Sequence, residues 1–135
     1  MRKAENPMPR LLIVDDEVAT VDMLSTYLKL LGHEPLGAYN GTDGLVLVEV
    51  EKPDLLILDL MMPDIDGFEV CKRVRAHAEF AKLPVVIISA RTDKDAIEKA
   101  LGLGANAYLT KPIELGKLSR EIKQLLQKKT DEPMV

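Results

Sequence analysis

The sequence predicts an α/β domain of the doubly wound kind, a parallel sheet covered by helices on both faces. Three observations carry this. The runs Leu11-Leu12-Ile13-Val14, Leu55-Leu56-Ile57-Leu58 and Val85-Val86-Ile87-Ile88 are apolar at every position, as strands buried on both faces are. Between them lie stretches whose apolar residues recur at intervals of three and four, the helical period. Glycines and prolines stand at the changeovers. A chain of 135 residues is one domain's worth, long enough to bury roughly 68–70% of the surface its unfolded form exposes.

The elements follow in order. After the Leu11 strand, Val21, Leu24, Leu28 and Leu31 mark a helix over about 18–31 that Gly32 stops. An edge strand fits Glu34 to Ala38. Gly41-Thr42-Asp43-Gly44 opens a second helix through about Glu51, and Pro53 ends it before the Leu55 strand. A third helix runs from about Gly67 to Ala76, with Phe68, Cys71 and Val74 or Arg75 on successive turns. Pro84 starts the next strand. Thr92 or Asp93 caps a fourth helix whose apolar face is Ala96, Ile97, Ala100 and Leu101, with Gly102 and Gly104 as its stop. Ala107 to Thr110 is the last strand. The final helix, about 113–129, carries Leu115, Leu118, Ile122, Leu125 and Leu126 on one stripe. The expected division is a flexible extension over 1–9, a domain over 10–129 and a polar tail over 130–135, with no repeat, linker or second domain.

Composition narrows the function classes. A single cysteine, Cys71, excludes an internal disulfide framework and a cysteine-based zinc site, and it reads as a small buried hydrophobe. The net charge of −4 offers no basic footprint for nucleic acid. Lys128-Lys129 suits a helix C-terminus. No apolar run approaches the ~20 residues of a membrane span, and Met1 to Arg10 has neither the core of a signal peptide nor that of an anchor. The expectation is a soluble, cytoplasmic protein in a reducing compartment.

The chemistry lies at the strand ends. Four strands run into Asp15-Asp16, Asp59, Ser89 and Lys111, and parallel strands place their carboxyl ends along one crevice. Asp15 and Asp16 sit at the strand-to-loop bend. Close like charges cost energy unless a cation lies between them, and an all-oxygen set without His or Cys favours Mg²⁺. Glu17 adds charge nearby. Asp59 ends the most hydrophobic strand, so its carboxylate is reachable only from the crevice; aspartate is a nucleophile toward phosphoryl groups, a transfer that needs positioning and charge neutralisation. Ser89 can donate a hydrogen bond to a phosphoryl oxygen. Lys111 precedes Pro112, which biases it to extended backbone and admits a cis bond. Taken singly, these residues have plainer readings: acids at a helix N-terminus, a solvated loop carboxylate, a turn serine, a surface lysine. Their joint order along the chain decides against those readings.

From Leu11 to about Lys129 the chain resembles the receiver domain of two-component response regulators. The resemblance is carried by Asp15-Asp16, by Pro53-Asp54 through Asp59-Leu60-Met61-Met62-Pro63-Asp64-Ile65-Asp66-Gly67, by Ser89-Ala90, by Gly104-Ala105 and by Tyr108-Leu109-Thr110-Lys111-Pro112. It implies a flavodoxin-like (βα)5 fold with a five-stranded parallel sheet in the order 2-1-3-4-5. It implies Asp59 as phosphoacceptor, served by a sensor histidine kinase or a histidine phosphotransfer protein, and signalling to a downstream protein target. Asp16 and Asp59 resemble side-chain Mg²⁺ ligands, with the backbone carbonyl of Met61 as a third and Asp15 acting through water. Ser89 and Lys111 resemble holders of phosphoryl oxygens. Tyr108 resembles a switch aromatic that turns inward when Ser89 moves toward the phosphate. Enzymatic action beyond self-phosphorylation and slow self-dephosphorylation is not implied.

Some positions depart from the pattern or lie outside it. Asn106-Ala107 stands where many DNA-binding relatives carry an acidic pair, which argues against a dimer through the fourth and fifth helices. Met61 and Arg91 flank the phosphate entrance and are ordinary choices there. His33 and His77 read as surface residues, Met23 as helix surface, and Lys94-Asp95 with Glu98-Lys99 as a solvated face. Two alternatives stand beside the stand-alone receiver. One is a receiver cut from a longer regulator with a DNA-binding or enzymatic output domain. The other, more remote, is a haloacid-dehalogenase-type phosphatase, which requires a second Asp where Met61 stands. A flavodoxin-like FMN site is disfavoured because Asp15-Asp16-Glu17 would repel the cofactor phosphate.

Overall fold

The computed structural model describes residues 8–130. Its elements alternate strictly: β1 (Arg10–Val14), α1 (Val18–Leu30), β2 (Glu34–Ala38), α2 (Gly41–Glu51), β3 (Leu55–Asp59), α3 (Gly67–Ala76), β4 (Val85–Ser89), α4 (Lys94–Gly102), β5 (Ala107–Thr110) and α5 (Leu115–Thr130). A 3₁₀ turn at Ala78–Phe80, which the sequence reading did not anticipate, leads from α3 toward β4. The strands form one parallel sheet in the order β2-β1-β3-β4-β5, as expected.

The all-apolar strands have a direct consequence in packing. Because side chains alternate across a strand, Leu12, Val14, Leu56, Leu58, Val85 and Ile87 enter one core with Val48 of α2, Phe68, Val70, Cys71 and Val74 of α3, and Ala96 and Ala100 of α4. Leu11, Ile13, Leu55, Ile57, Val86 and Ile88 enter the other, with Val21, Leu24 and Leu28 of α1 and Leu118 and Ile122 of α5. Each fully buried Leu or Ile contributes about 1.5–3 kcal/mol of transfer free energy. The two cores hold β1, β3 and β4 rigidly, and the strand ends inherit that rigidity.

Helix starts follow their capping residues. Asn40, Asp66 and Asp93 accept hydrogen bonds from Asp43 N, Glu69 N and Ala96 N at 2.8, 2.9 and 3.0 Å, each satisfying a free first-turn amide. Asp93 thus takes the cap that the sequence left between it and Thr92. Leu31 and Gly32, with φ +91°, close α1.

Four expectations shift. Helix α5 begins at Leu115, two residues later than expected, since Glu114 supplies the first carbonyl accepted by Leu118 N. Leu101 is exposed, because the short α4 turns Ala96 and Ala100 to the sheet instead. His33 is half-buried, its Nδ1 shut off from water, and burial pushes its pKa down. Asn106 is not a bare surface residue: its Oδ1 accepts from Val85 N at 2.8 Å and Arg75 Nη2 at 3.0 Å. The extension and tail lie mostly outside the described residues. Pro9 is described, and its carbonyl accepts from Glu34 N at 2.9 Å.

Candidate functional site

The carboxyl ends of β1, β3, β4 and β5 gather the residues singled out in the sequence. Asp15 follows β1 directly and is fully buried; its Oδ1 accepts from Glu17 N at 2.9 Å. Asp16, one residue on, is exposed. Asp59 closes β3 with 3% of its surface exposed, and its Oδ1 accepts only a long hydrogen bond, 3.3 Å, from Met61 N. One carboxylate oxygen from each of Asp15, Asp16 and Asp59 lies within 4.8 Å of the other two.

Lys111 reaches this cluster from the end of β5, where the Lys111–Pro112 peptide is cis. Its Nζ lies 3.0 Å from Asp15 Oδ2, 3.0 Å from Glu17 Oε1 and 3.5 Å from Asp59 Oδ2. Asp15 Oδ2 is buried and has no aligned hydrogen bond, so the nearby ammonium is its sole compensation among the described residues.

Electrostatics follow from this packing. Burial, then the neighbouring Asp15 charge, pushes the Asp59 carboxyl up to about 6, against the opposing pull of Met61 N and Lys111. Burial alone would lower Lys111, but hydrogen bonds from Asp15 and Glu17 and the charge of Asp59 more than offset it and hold the ammonium charged. The set is short of positive charge: three clustered carboxylates and Glu17 face one lysine. Hard oxygen donors, mutual repulsion and an under-satisfied buried oxygen are what a divalent cation such as Mg²⁺ would relieve.

The β4 end carries Ser89, fully buried, whose Oγ accepts from Arg91 N at 3.1 Å. Tyr108, half-buried on β5, donates from its hydroxyl to the Arg91 carbonyl at 2.8 Å. Both residues are therefore tied to one loop residue. The Arg91 side chain turns away to pair with Asp93 at 2.9 and 3.0 Å.

Two supports escaped the sequence reading. A Cβ on Gly67 would come within 2.4 Å of the Asp59 carbonyl and 2.7 Å of Leu60 Cα, so the site loop closes onto α3 only over glycine. Gly67 N also donates to Leu60 O at 3.0 Å. Glu17, read only as nearby charge, is a direct partner of Lys111. Three consecutive acids after β1 were the signal available for it.

A doubly wound sheet with an all-oxygen acid cluster and one lysine at its carboxyl edge belongs to the class suited to a hard cation and a phosphoryl group. Residues 11–123 match the response regulator receiver domain, and the chain belongs to that family. It is 38% identical over 121 residues to the transcriptional regulatory protein AfsQ1 of Streptomyces coelicolor, covering 90% of this chain and 52% of that protein. The chain spans about half the length of the curated relatives it matches. Among solved structures, a response regulator from Chloroflexus aurantiacus superposes with a TM-score of 0.85 at 38% identity, covering 89% of this chain and 98% of that one. The chemotaxis response regulator CheY4 of Vibrio cholerae gives 0.82 at 27%, covering 87% and 98%. The chain is thus a receiver domain of two-component signal transduction, a class that in general is not enzymatic, and the phosphatase alternative falls away. No helix of the described residues is long and apolar enough to cross a membrane.

Proposed function

We propose that Asp59 accepts a phosphoryl group from a phosphohistidine on a sensor histidine kinase or histidine phosphotransfer protein. A carboxylate oxygen of Asp59 attacks phosphorus, the N–P bond breaks with its electron pair going to the imidazole nitrogen, and an acyl phosphate results. The single observation that carries this reading is the placement of Asp59: 3% exposed, at the end of a strand buried on both faces, facing Lys111 at 3.5 Å. Asp16 and Asp59 would hold Mg²⁺ through their side chains, Met61 through its backbone carbonyl and Asp15 through water. The cation, when bound, neutralises charge that builds on the phosphoryl oxygens.

Ser89 and Lys111 then hold phosphoryl oxygens. Once Ser89 Oγ turns to the phosphate, Arg91 N loses its acceptor, and the loop that carries the Tyr108 hydroxyl's partner is free to shift. Tyr108 is the reporter of that change to a downstream protein. Small phosphodonors serve in place of the kinase, and loss of the phosphoryl to water is slow. Incubation with acetyl phosphate and Mg²⁺ adds one phosphoryl mass to the protein, and Asp59→Asn abolishes it. No adduct under conditions where Mg²⁺ demonstrably binds defeats the proposal.

The half-length match to AfsQ1 favours a second reading of the output: that this receiver governs an output domain in a longer regulator. The open reading frame of the gene distinguishes this from a stand-alone receiver acting by protein contact in the cytoplasm.

A further inference from the structure

Lys111 serves three carboxylates at once, and they are not equivalent. Asp15 and Asp59 are buried, whereas the Glu17 side chain is 63% exposed. Glu17 is the residue that precedes α1, and its carboxylate gives that helix no N-terminal capping bond. A pair so exposed adds little to folding. Its effect is directional. An ammonium has three donors, and the one spent on Glu17 at 3.0 Å points the cation outward, while its contact with Asp59, at 3.5 Å, is the longest of the three.

We infer that Glu17 is a positioning residue that holds Lys111 back from the Asp15–Asp59 pair and so keeps the acid cluster open to a divalent cation. The inference rests on the reading of that cluster as the cation site. Without the Glu17 carboxylate, the ammonium settles between Asp15 and Asp59, where it neutralises the charges a cation would use. Glu17 therefore favours cation binding through Lys111, beyond the weak, screened attraction of its own charge.

A double-mutant cycle on Mg²⁺ affinity separates these contributions, measured by calorimetry or Mg²⁺-dependent fluorescence of a tyrosine on the intact chain. Glu17→Gln weakens Mg²⁺ binding roughly three- to tenfold when Lys111 is present, a size typical of directly coupled neighbours. In a Lys111→Met background, or Lys111→Gln should Lys111→Met not fold, the same substitution changes affinity less than about twofold. Thermal unfolding in chelator shows no matching loss of stability for Glu17→Gln. Equal effects in both backgrounds overturn the inference and leave Glu17 a through-space charge. No effect in either background overturns it too. A wild-type chain that takes up no Mg²⁺ at all removes the cation-site reading itself, a result distinct from the other two.

Discussion

Strand β3 has a buried aspartate at each end, and the two are treated oppositely. Asp54, just before the strand and 3% exposed, accepts from Arg10 N at 2.8 Å while its own amide donates to Arg10 O at 2.7 Å. The Arg10 side chain closes that end of the sheet by pairing with Glu34 at 3.2 Å and with Glu51. Asp59, equally buried, has one long amide contact and a lysine at 3.5 Å, and shares its neighbourhood with Asp15. Burying a carboxylate is tolerable only when hydrogen bonds replace its water. One end of β3 meets that condition with backbone and arginine; the other leaves it partly unmet, and that is the end where a ligand is needed.

The largest expected effect comes from relieving the poorly satisfied end. A folded-state pKa of about 6, against an ordinary 3.8, means that the folded protein prefers Asp59 protonated. The contribution of this group to stability is therefore greatest below pH 4, falls as pH rises from about 4 to 6, and stays low above 6. The shift corresponds to about 3 kcal/mol. Asp59→Asn removes the ionised group and is expected to stabilise the cation-free protein by up to about 3 kcal/mol at pH 7.5. Below pH 4 the gain vanishes. Urea unfolding in chelator at the two pH values checks it, and a substitution that destabilises at pH 7.5 breaks the contrast.

At the satisfied end the sign reverses. Asp54→Ala removes an acceptor of the Arg10 amide and leaves that donor in a shielded position. A loss of about 2 kcal/mol is expected, the range for a hydrogen bond to a charged group. The same unfolding experiment reads it, and phosphoryl uptake by the surviving folded fraction should be unchanged. If Asp54→Ala were neutral, the amino end of the strand would be no better satisfied than the carboxyl end.

What could be read before folding divides along the same line. Strand identity, the sheet order and the meeting of Asp15, Asp16, Asp59 and Lys111 followed from apolar runs that each end in a functional residue, because a parallel sheet turns order in sequence into adjacency at one edge. Side-chain direction did not follow. Lys111 and Glu17 are 94 positions apart, and no local pattern says that a β5 lysine leans toward the residue before α1. Arg75 was left tied with Val74 for the buried face of α3; the structure buries Val74 and lays the Arg75 guanidinium on Gly104 O at 2.8 and 3.0 Å. Helical period limited the choice to neighbours on the wheel, but only the position of the α4–β5 turn selects between them. Leu101 shows the same limit, since a nine-residue helix can present either side of its stripe to a sheet.

The smallest effect tests whether the unmet end of β3 is unmet for the sake of a cation. A cation must displace any proton on Asp59, so its apparent affinity should fall as pH drops through about 6. With that pKa about a tenth of Asp59 is ionised at pH 5, which predicts roughly tenfold weaker Mg²⁺ binding than at pH 7.5, equivalent to about 1.4 kcal/mol. Asp59→Asn should bind Mg²⁺ weakly and with little of this slope, whereas any Asp54 variant that folds should retain it in full. Calorimetric titrations across the pH series decide the point. A slope that survives Asp59→Asn would move the titrating group to another acid of the cluster and would take from Asp59 the role of the proton's competitor.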